Sequence, residues 1–300
     1  MTVKRHHYHY SSLSDFVTDM EAVVKAKAFK PEYKDRPAAL EKDHADGWHG
    51  TETIEQTFAM ARNGWEAGRA KLVSAFAAAA TALSSQPDYV MDVGGAYPIV
   101  ALAVAGDPAC MVDFMPVEDR KRPVVRLTVN CCASAAYSGE ALTNYGAAVL
   151  SYIDALEAHG FRVELTAFVH CAMNGDNNQR YNLHVMAKEA HEPMELDKLA
   201  FMFVQPSYLR RLVFAHMQSR KDIPKDMMRN CGTASSPVPD HDTEAGQLII
   251  PGINTFSPNA PQLKTARAAA DALAPVLERM LSSAGLRPPT LAFAAEGLAG

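Results

Sequence analysis

Apolar residues at helical spacing dominate the first part of the chain. In residues 11–30 they recur every three to four positions after a serine-rich start, which predicts a helix with a capped N-terminus. Residues 51–83 show the same pattern in two parts that meet at Asn63-Gly64, and Thr51 or Thr53 is placed to cap the first part. We therefore predict an N-terminal helical extension over residues 1–87.

The pattern changes to that of alternating strands and helices after residue 122. VVRLTVN and RVELTAFVH are β-branched runs typical of buried strands, and a helical pattern that closes at Gly160 lies between them. YNLHVMAKEA predicts a further strand. Strand, helix, strand is the right-handed crossover unit of a parallel sheet. The sequence therefore predicts an α/β fold with a central, mostly parallel sheet flanked by helices, and its core over residues 88–218.

Residues 219–300 are expected to complete this core. The polar stretch 219–246, with three prolines, predicts a loop, and GQLIIPGI predicts a short buried strand. Residues 259–285 predict a helix that is kinked before Pro275. The remainder, LRPPTLAFAAEGLAG, is expected to be a flexible tail.

Composition excludes several classes of protein. Apolar residues make up 48% and charged residues 21% of the chain, and the formal net charge is −5, so no overall basic charge favours nucleic acid. Five cysteines without a framework spacing are typical of reduced thiols. The N-terminus has no apolar signal core, and no run approaches the roughly 18 apolar residues of a membrane span. We expect a cytoplasmic protein without membrane association, in the host cytoplasm if the chain is viral.

Residues 122–216 resemble a von Willebrand factor A domain. In that family a hydrophobic strand ends in a DxSxS metal-binding motif and is followed by an amphipathic helix, as VVRLTVNCCASA is followed by residues 140–158 here. RVELTAFVHC and YNLHVMAKEA supply the following strands, so the resemblance covers about a third of the chain and rests on element order. The pattern WHGTETIEQTFAMARNGWEAG followed by GDPACM also resembles an uncharacterised family of bacteriophage proteins.

The resemblance places Asn130, Cys132 and Ser134 at the positions of the family's Asp, Ser and Ser. Magnesium prefers hard oxygen ligands with a carboxylate among them, and a thiol is a poor substitute. We therefore predict a degenerate site that has lost its ion, and a protein without metal or other cofactor.

Two other kinds of chemistry are weighed against packing. Cys131 and Cys132 lie between a strand and a helix, where the helix dipole lowers a thiol pKa, but free cysteines are usually buried and inert. His6, His7 and His9 have no HExxH or CxxC motif beside them, so we interpret them as a solvated strand edge rather than a zinc site.

A basic cluster with interleaved aromatic residues follows Pro206. Aromatic rings beside arginines are typical of single-stranded nucleic-acid surfaces, although a solvated helix face is the commoner explanation. Arg210 and Arg211 stand about 100° apart on a helix, so we expect at least one to be exposed. In an adaptor, that arginine is expected to pair with Glu195 or Asp197. The predicted basic surface, for nucleic acid or a protein partner, consists of Tyr208, Arg210, Arg211, Arg220, Lys221, Lys225 and Arg229.

Because no catalytic motif is complete, the sequence favours a non-enzymatic binding or adaptor protein, and the resemblance to bacteriophage proteins implies that a phage encodes it. The von Willebrand A resemblance implies a protein partner, of which an AAA+ ATPase of the MoxR kind is an example. The first alternative is a single-stranded-DNA-binding cofactor of phage transcription or replication. The second is a cysteine- or metal-dependent hydrolase.

Overall fold

The fold is organised around a central sheet of six strands. The computed structural model describes residues 3–43, 47–80, 89–94, 97–98, 100–114, 123–158, 160–173, 176–224, 233–234, 237 and 241–286. In chain order the elements are β1 (Lys4–Tyr10), α1 (Leu13–Lys25), α2 (Ile54–Asn63), α3 (Glu66–Ala80), β2 (Tyr89–Asp92), β3 (Tyr97–Pro98), α4 (Val100–Ala105), β4 (Met111–Phe114), β5 (Val124–Asn130), α5 (Gly139–Ala158), β6 (Arg162–Met173), β7 (Asp176–Lys188), α6 (Leu196–Phe203), a π-helix (Tyr208–Val213), α7 (Phe214–Ser219), β8 (Thr233–Ala234), β9 (Leu248–Ile250) and α8 (Ala266–Ser283).

The central sheet has the order β1-β7-β6-β5-β9, and β8 pairs with β6. Strand β5 runs parallel to β6 from Val124 opposite Arg162 to Asn130 opposite Phe168, so the predicted crossover through α5 is confirmed. The pairings of β1 with β7 and of β5 with β9 are also parallel, whereas β7 and β8 are antiparallel to β6. The predicted α/β class with a mostly parallel sheet is therefore confirmed.

The predicted helical extension is wrong at its start, because residues 4–10 form a strand of the central sheet. Strand β1 pairs with β7 from Lys4 opposite Gln179 to Tyr10 opposite Val185. Its sequence KRHHYHY has no aliphatic residue, so the usual strand signal is missing and the pairing with β7 determines the conformation. Residues 89–114 depart from the predicted core, since β2, β4 and β3 form a separate antiparallel sheet. The domain boundaries stay a prediction.

Side-chain caps set the starts of the helices, and for α1 and α2 these starts agree with the pattern. Ser12 accepts a hydrogen bond from the backbone of α1, and Thr53, one of the two predicted caps, accepts one from the backbone of α2. Thr265 caps α8 in the same way. Helix α8 continues through Pro275. Among the described residues, no helix is long and apolar enough to cross a membrane.

The two faces of the central sheet differ in chemistry because side chains alternate along each strand. The helix face carries Val163, Leu165, Val169 and Leu183, which pack with the helices in two apolar clusters. The opposite side chains form what we call the polar face. It consists of His7 and His9 of β1, Thr128 and Asn130 of β5, Thr166, Phe168 and His170 of β6, and Asn182 and His184 of β7.

Close packing between α5 and the end of α6 leads to a stability prediction. A Cβ atom added at Gly146 of α5 would lie 2.6 Å from Val204 Cγ2, closer than carbon atoms approach. Glycine to alanine in a helix normally stabilises by about 0.5–1 kcal/mol, but overpacking costs about 1–3 kcal/mol. We expect Gly146→Ala to lower the free energy of unfolding by about 1–2 kcal/mol in urea titrations.

Gly139, at the start of the same helix, is the matched control. A Cβ atom there would have no neighbour within 4 Å, so Gly139→Ala should leave stability unchanged or raise it. If Gly146→Ala stabilised the protein as much as Gly139→Ala, the close contact with Val204 would be refuted.

Candidate functional site

The segment that follows β5 is closed by hydrogen bonds within the protein. The side chain of Asn130 accepts a hydrogen bond from Cys132 N at 3.0 Å, a turn typical of asparagine. Asn254 bridges the segment, since its Oδ1 accepts from Ser134 N at 3.0 Å and its Nδ2 donates to Cys132 O. The hydroxyl of Ser134 accepts from Ala136 N at 3.3 Å. These local bonds stabilise the loop, and the loss of the magnesium site stays a prediction.

The two adjacent cysteines have the environment of packing residues. Cys132 is buried in the apolar cluster beneath α1 and α7, with its Sγ 3.4 Å from Cys171 Sγ. Cys131 is partly exposed, and its Sγ donates to Val129 O at 3.4 Å. Burial raises the pKa of the Cys131 thiol, whereas an activated nucleophile needs a lowered one. The environment of Cys131 does not favour the cysteine-dependent hydrolase.

We expect the cysteine substitutions to change stability rather than activity. Cys132→Ala should lower the free energy of unfolding by about 1 kcal/mol because it leaves a small cavity. Cys131→Ala should cost less, since that side chain is only partly buried. Urea unfolding measures both effects, and fast thiol labelling of the folded protein would contradict the packing role.

Arg211 of the predicted basic surface is fully buried and acts as an internal cross-link. Its Nε donates to Thr51 Oγ1 at 2.8 Å, and its Nη1 donates to Ala39 O at 2.9 Å and Glu41 O at 3.1 Å. Its Nη2 donates to Thr51 O at 2.5 Å and Glu52 O at 3.1 Å. Arg211 therefore holds the loop between α1 and α2 against the π-helix and is not available to bind phosphate.

Arg210 is also buried, so the expectation that one of the two arginines is exposed is wrong. Its guanidinium stacks on the Trp48 ring, 4.7 Å from the centroid, and its Nη1 donates to Trp48 O. The π-helix contacts α2, α6 and the 38–40 turn. It therefore lacks the solvent-exposed face that the prediction assumed for the two arginines. Asp197 and Glu195 pair instead with Arg69 and Lys198.

The remaining residues of the predicted basic surface do not form one surface either. Tyr208 is buried in the apolar cluster, and Arg220 pairs with Asp19 and donates to Tyr10 Oη at 2.7 Å. Lys221 is exposed. Lys225 and Arg229 lie outside the described residues. Among the described members of the predicted surface, only Lys221 is exposed.

Three histidines meet on the polar face of the sheet. His9 of β1 lies opposite His184 of β7, and His7 lies one residue pair further along the same strand. The rings of His9 and His184 stack with centroids 4.5 Å apart and planes within 5°. One ring nitrogen from each of the three side chains lies within 4.8 Å of those of the other two. We call His7, His9 and His184 the histidine cluster.

Asp242 forms hydrogen bonds with residues in and around the histidine cluster. Its carboxylate accepts from Arg5 Nε at 2.9 Å and from Asn182 Nδ2 at 3.2 Å, and its backbone oxygen lies 3.1 Å from His184 Nε2. Asp242 is 1% exposed although it comes from a predicted polar loop. Residues 241–247 thus lie over the polar face.

The hydrogen bonds fix which ring nitrogen of two buried histidines carries the proton. His184 Nε2 must donate, because the Asp242 carbonyl only accepts, and this leaves a lone pair on Nδ1. His170 Nδ1 donates to Asn182 Oδ1 at 2.6 Å, because the amide nitrogen of Asn182 is directed at Asp242, and this leaves a lone pair on Nε2. Neither lone pair has a hydrogen-bond partner within the part of the chain that the structure describes. Buried nitrogens normally have one.

The imidazoles of His7, His170 and His184 are held in their neutral form. Burial lowers the pKa of His184 to about 3, and the neighbouring His9 and His7 act in the same direction. Burial also lowers the pKa of His170 and, together with His9, that of His7. Neutral imidazoles are ligands for metal ions and acceptors for hydrogen-bond donors. The cluster is therefore suited to binding an electron-pair acceptor near neutral pH.

The expected position on a solvated strand edge holds for two of the N-terminal histidines and is wrong for the third. His7 and His9 are exposed on an edge strand, as predicted. His6 is 4% exposed on the helix face and contacts Asp222 and Gln179. The spacing His7-x-His9 was a usable signal, because residues two apart in a strand share one face.

Comparison with known proteins places the chain in a family without indicating an activity. No curated protein and no solved structure gave a significant match. A family model described as a domain of unknown function, DUF7192, matches residues 1–286. The model covers nearly the whole chain, so this protein belongs to the DUF7192 family.

Proposed function

We propose that this is a non-enzymatic binding protein that takes its ligand on the polar face of the central sheet, at the histidine cluster. The observation that carries the proposal is the pair of buried lone pairs, on His184 Nδ1 and His170 Nε2, that lack a partner among the described residues. A buried nitrogen without a partner costs about 1–3 kcal/mol. A ligand that brings a hydrogen-bond donor or a cation would remove that cost.

The position of the cluster also supports binding. His7 and His9 are exposed while His184 is 3% exposed, so a ligand can reach the first two from solvent and meet the third at the base. A few convergent polar groups are typical of ligand recognition. A cytoplasmic location is part of this proposal and follows from the cysteine usage.

The other expected partners stay predictions. An adaptor role and an AAA+ ATPase partner come from the von Willebrand A resemblance, and a phage origin comes from the resemblance to a bacteriophage protein family. Single-stranded DNA binding has lost its strongest support, because Arg210 and Arg211 are buried and bonded within the protein.

Thermal unfolding of the tag-free protein tests the proposal. The small-molecule fraction of a cell extract, added to protein that has been dialysed against EDTA, should raise the Tm of the wild type. The gain should be missing in His184→Gln, because the substitution removes the buried lone pair. His191→Gln, which changes an exposed histidine outside the cluster, is the control.

Equal gains in the wild type and His184→Gln would count against the proposal, as would no gain in either. Because His184 is buried, His9→Gln is measured beside it to exclude an effect of poor folding. Circular dichroism establishes that both variants are folded before ligand is added.

A further inference from the structure

The histidine cluster has the ligand set of a metal centre. Each of His7, His9 and His184 offers one ring nitrogen, and these nitrogens lie within 4.8 Å of one another. In a tetrahedral zinc site with Zn–N bonds of 2.0–2.1 Å the nitrogens are roughly 3.3 Å apart. His7 and His9 are exposed and can turn about their side-chain torsions to close this gap, while the buried His184 stays in place.

Two of the three histidines have the outer partners that metal-binding histidines use. A metal-bound imidazole usually donates its other N–H to a carbonyl or carboxylate, which fixes the tautomer and orients the ring. His184 Nε2 donates to Asp242 O at 3.1 Å, and His9 Nδ1 lies 3.5 Å from Glu244 Oε1. In both rings the opposite nitrogen is then free to bind an ion. Asp242 and Glu244 come from one short segment, so the same loop orients both ligands.

The third histidine has a contact that an ion can replace. His7 Nε2 lies 3.4 Å from Asn182 Nδ2, a long hydrogen bond in which the imidazole accepts. Asn182 keeps its bonds to Asp242 and His170 when this contact is lost. When His7 turns towards an ion, the Asn182 side chain keeps these two bonds and loses only this long one.

The nitrogen-only donor set selects the class of ion. Imidazole suits Zn²⁺, Cu²⁺ and Ni²⁺, whereas Mg²⁺ and Ca²⁺ need several oxygen ligands. We propose that His7, His9 and His184 bind one Zn²⁺ ion, with water in the fourth position. The site is distinct from the strand-end positions Asn130 and Ser134. The zinc proposal rests on the proposed function because it uses the same cluster, and it adds the identity of the ligand.

Calorimetry on the tag-free, EDTA-dialysed protein tests the proposal. Zn²⁺ should bind with a stoichiometry of one and Mg²⁺ should give no heat. Co²⁺ should give the visible spectrum of a tetrahedral site. His7→Gln and His9→Gln, both at exposed positions, should each weaken Zn²⁺ binding by about 100-fold or more, and Glu244→Gln by about 10-fold. His191→Gln and Ser134→Ala should leave the affinity unchanged.

The assignment would be overturned if the wild type, His7→Gln and His9→Gln bound Zn²⁺ with equal affinity. It would also be overturned if the wild type bound no Zn²⁺ at a concentration of 100 µM, which is on the order of the weakest useful affinity. Loss of binding in Ser134→Ala would place the ion at the strand end instead. If Zn²⁺ does not bind while the extract still stabilises the wild type through His184, this inference falls and the proposed function stands. If neither stabilises the protein, both fall.

Discussion

Arg211→Met is expected to lower the free energy of unfolding by about 3–5 kcal/mol, the largest effect among the substitutions considered. The guanidinium of Arg211 donates to the backbone oxygens of Ala39, Glu41, Thr51 and Glu52. Methionine fills similar volume but donates to none of them. Buried carbonyls without partners, rather than the lost charge, account for the destabilisation.

Two further variants separate this explanation from a general effect of losing a cation. Arg211→Lys keeps the charge but has fewer donors in a different geometry, so it should lose less stability than Arg211→Met. Arg267→Met removes an exposed arginine, 3.9 Å from Asp271, and should cost less than about 1 kcal/mol. Urea unfolding measures all three. An Arg211→Met protein as stable as Arg267→Met would refute the role of Arg211 as a cross-link.

The central crossover could be predicted from the sequence because its signals are local. Strands β5 and β6 are β-branched runs that are buried over most of their length, and α5 ends before Gly160, so pattern and structure agree. Strand β1 could not be predicted in the same way. Its alternate residues His6, Tyr8 and Tyr10 are polar or aromatic, and they become buried only through pairing with β7 and packing against distant parts of the chain such as α7.

The burial of Arg210 and Arg211 could not be predicted from the sequence either. A helical stretch with two adjacent arginines is usually a solvated face, and nothing local indicates that residues 38–41 and 48–52 contact it. The carbonyls that accept from Arg211 lie about 160–170 positions earlier in the chain. Charge and periodicity along the chain do not reveal that a side chain donates hydrogen bonds to backbone groups far away in the sequence.

The candidate site combines a local signal with a distant one. His7-x-His9 shares a strand face by spacing alone, but His184 joins it only through the register of β1 with β7. Along that row, His9, His184, Phe168 and Asn130 are successive neighbours on the polar face. The strand-end position of the von Willebrand A resemblance and the histidine cluster therefore lie on one face, separated by Phe168.

His216 is expected to make the protein less stable in acid. It is fully buried in α7, where Arg220 Nε donates to its Nε2 at 3.0 Å and Tyr181 Oη lies 2.9 Å from its Nδ1. Burial holds the pKa of His216 well below its usual value, the charge of Arg220 lowers it further, and Asp222 opposes both. The folded protein therefore keeps this imidazole neutral at a pH where the unfolded chain protonates it.

The difference in the pKa of His216 between the folded and unfolded states sets the direction in which stability changes with pH. His216 contributes no pH dependence above about 6.5, the ordinary pKa of histidine, and destabilises the folded state as the pH falls below that value. One proton taken up only on unfolding corresponds to about 1.4 kcal/mol per pH unit, so His216 alone should cost about 2 kcal/mol at pH 5.0. The buried His49, His170 and His184 also have lowered pKa values and add to the loss.

His216→Gln isolates this contribution. Glutamine can accept from Arg220 and donate to Tyr181 but does not titrate, so the variant should be less stable at pH 7.5 and should lose less stability on acidification. The difference in unfolding free energy between wild type and variant should shrink by about 2 kcal/mol from pH 7.5 to pH 5.0 in urea titrations. Tyr8, Tyr10 and Phe16 enclose the same ring and are unchanged in the variant. His191→Gln, at an exposed position, should follow the wild-type curve. A difference for His216→Gln that is constant with pH would show that His216 has the same pKa in the folded protein and in the unfolded chain, which would refute the prediction.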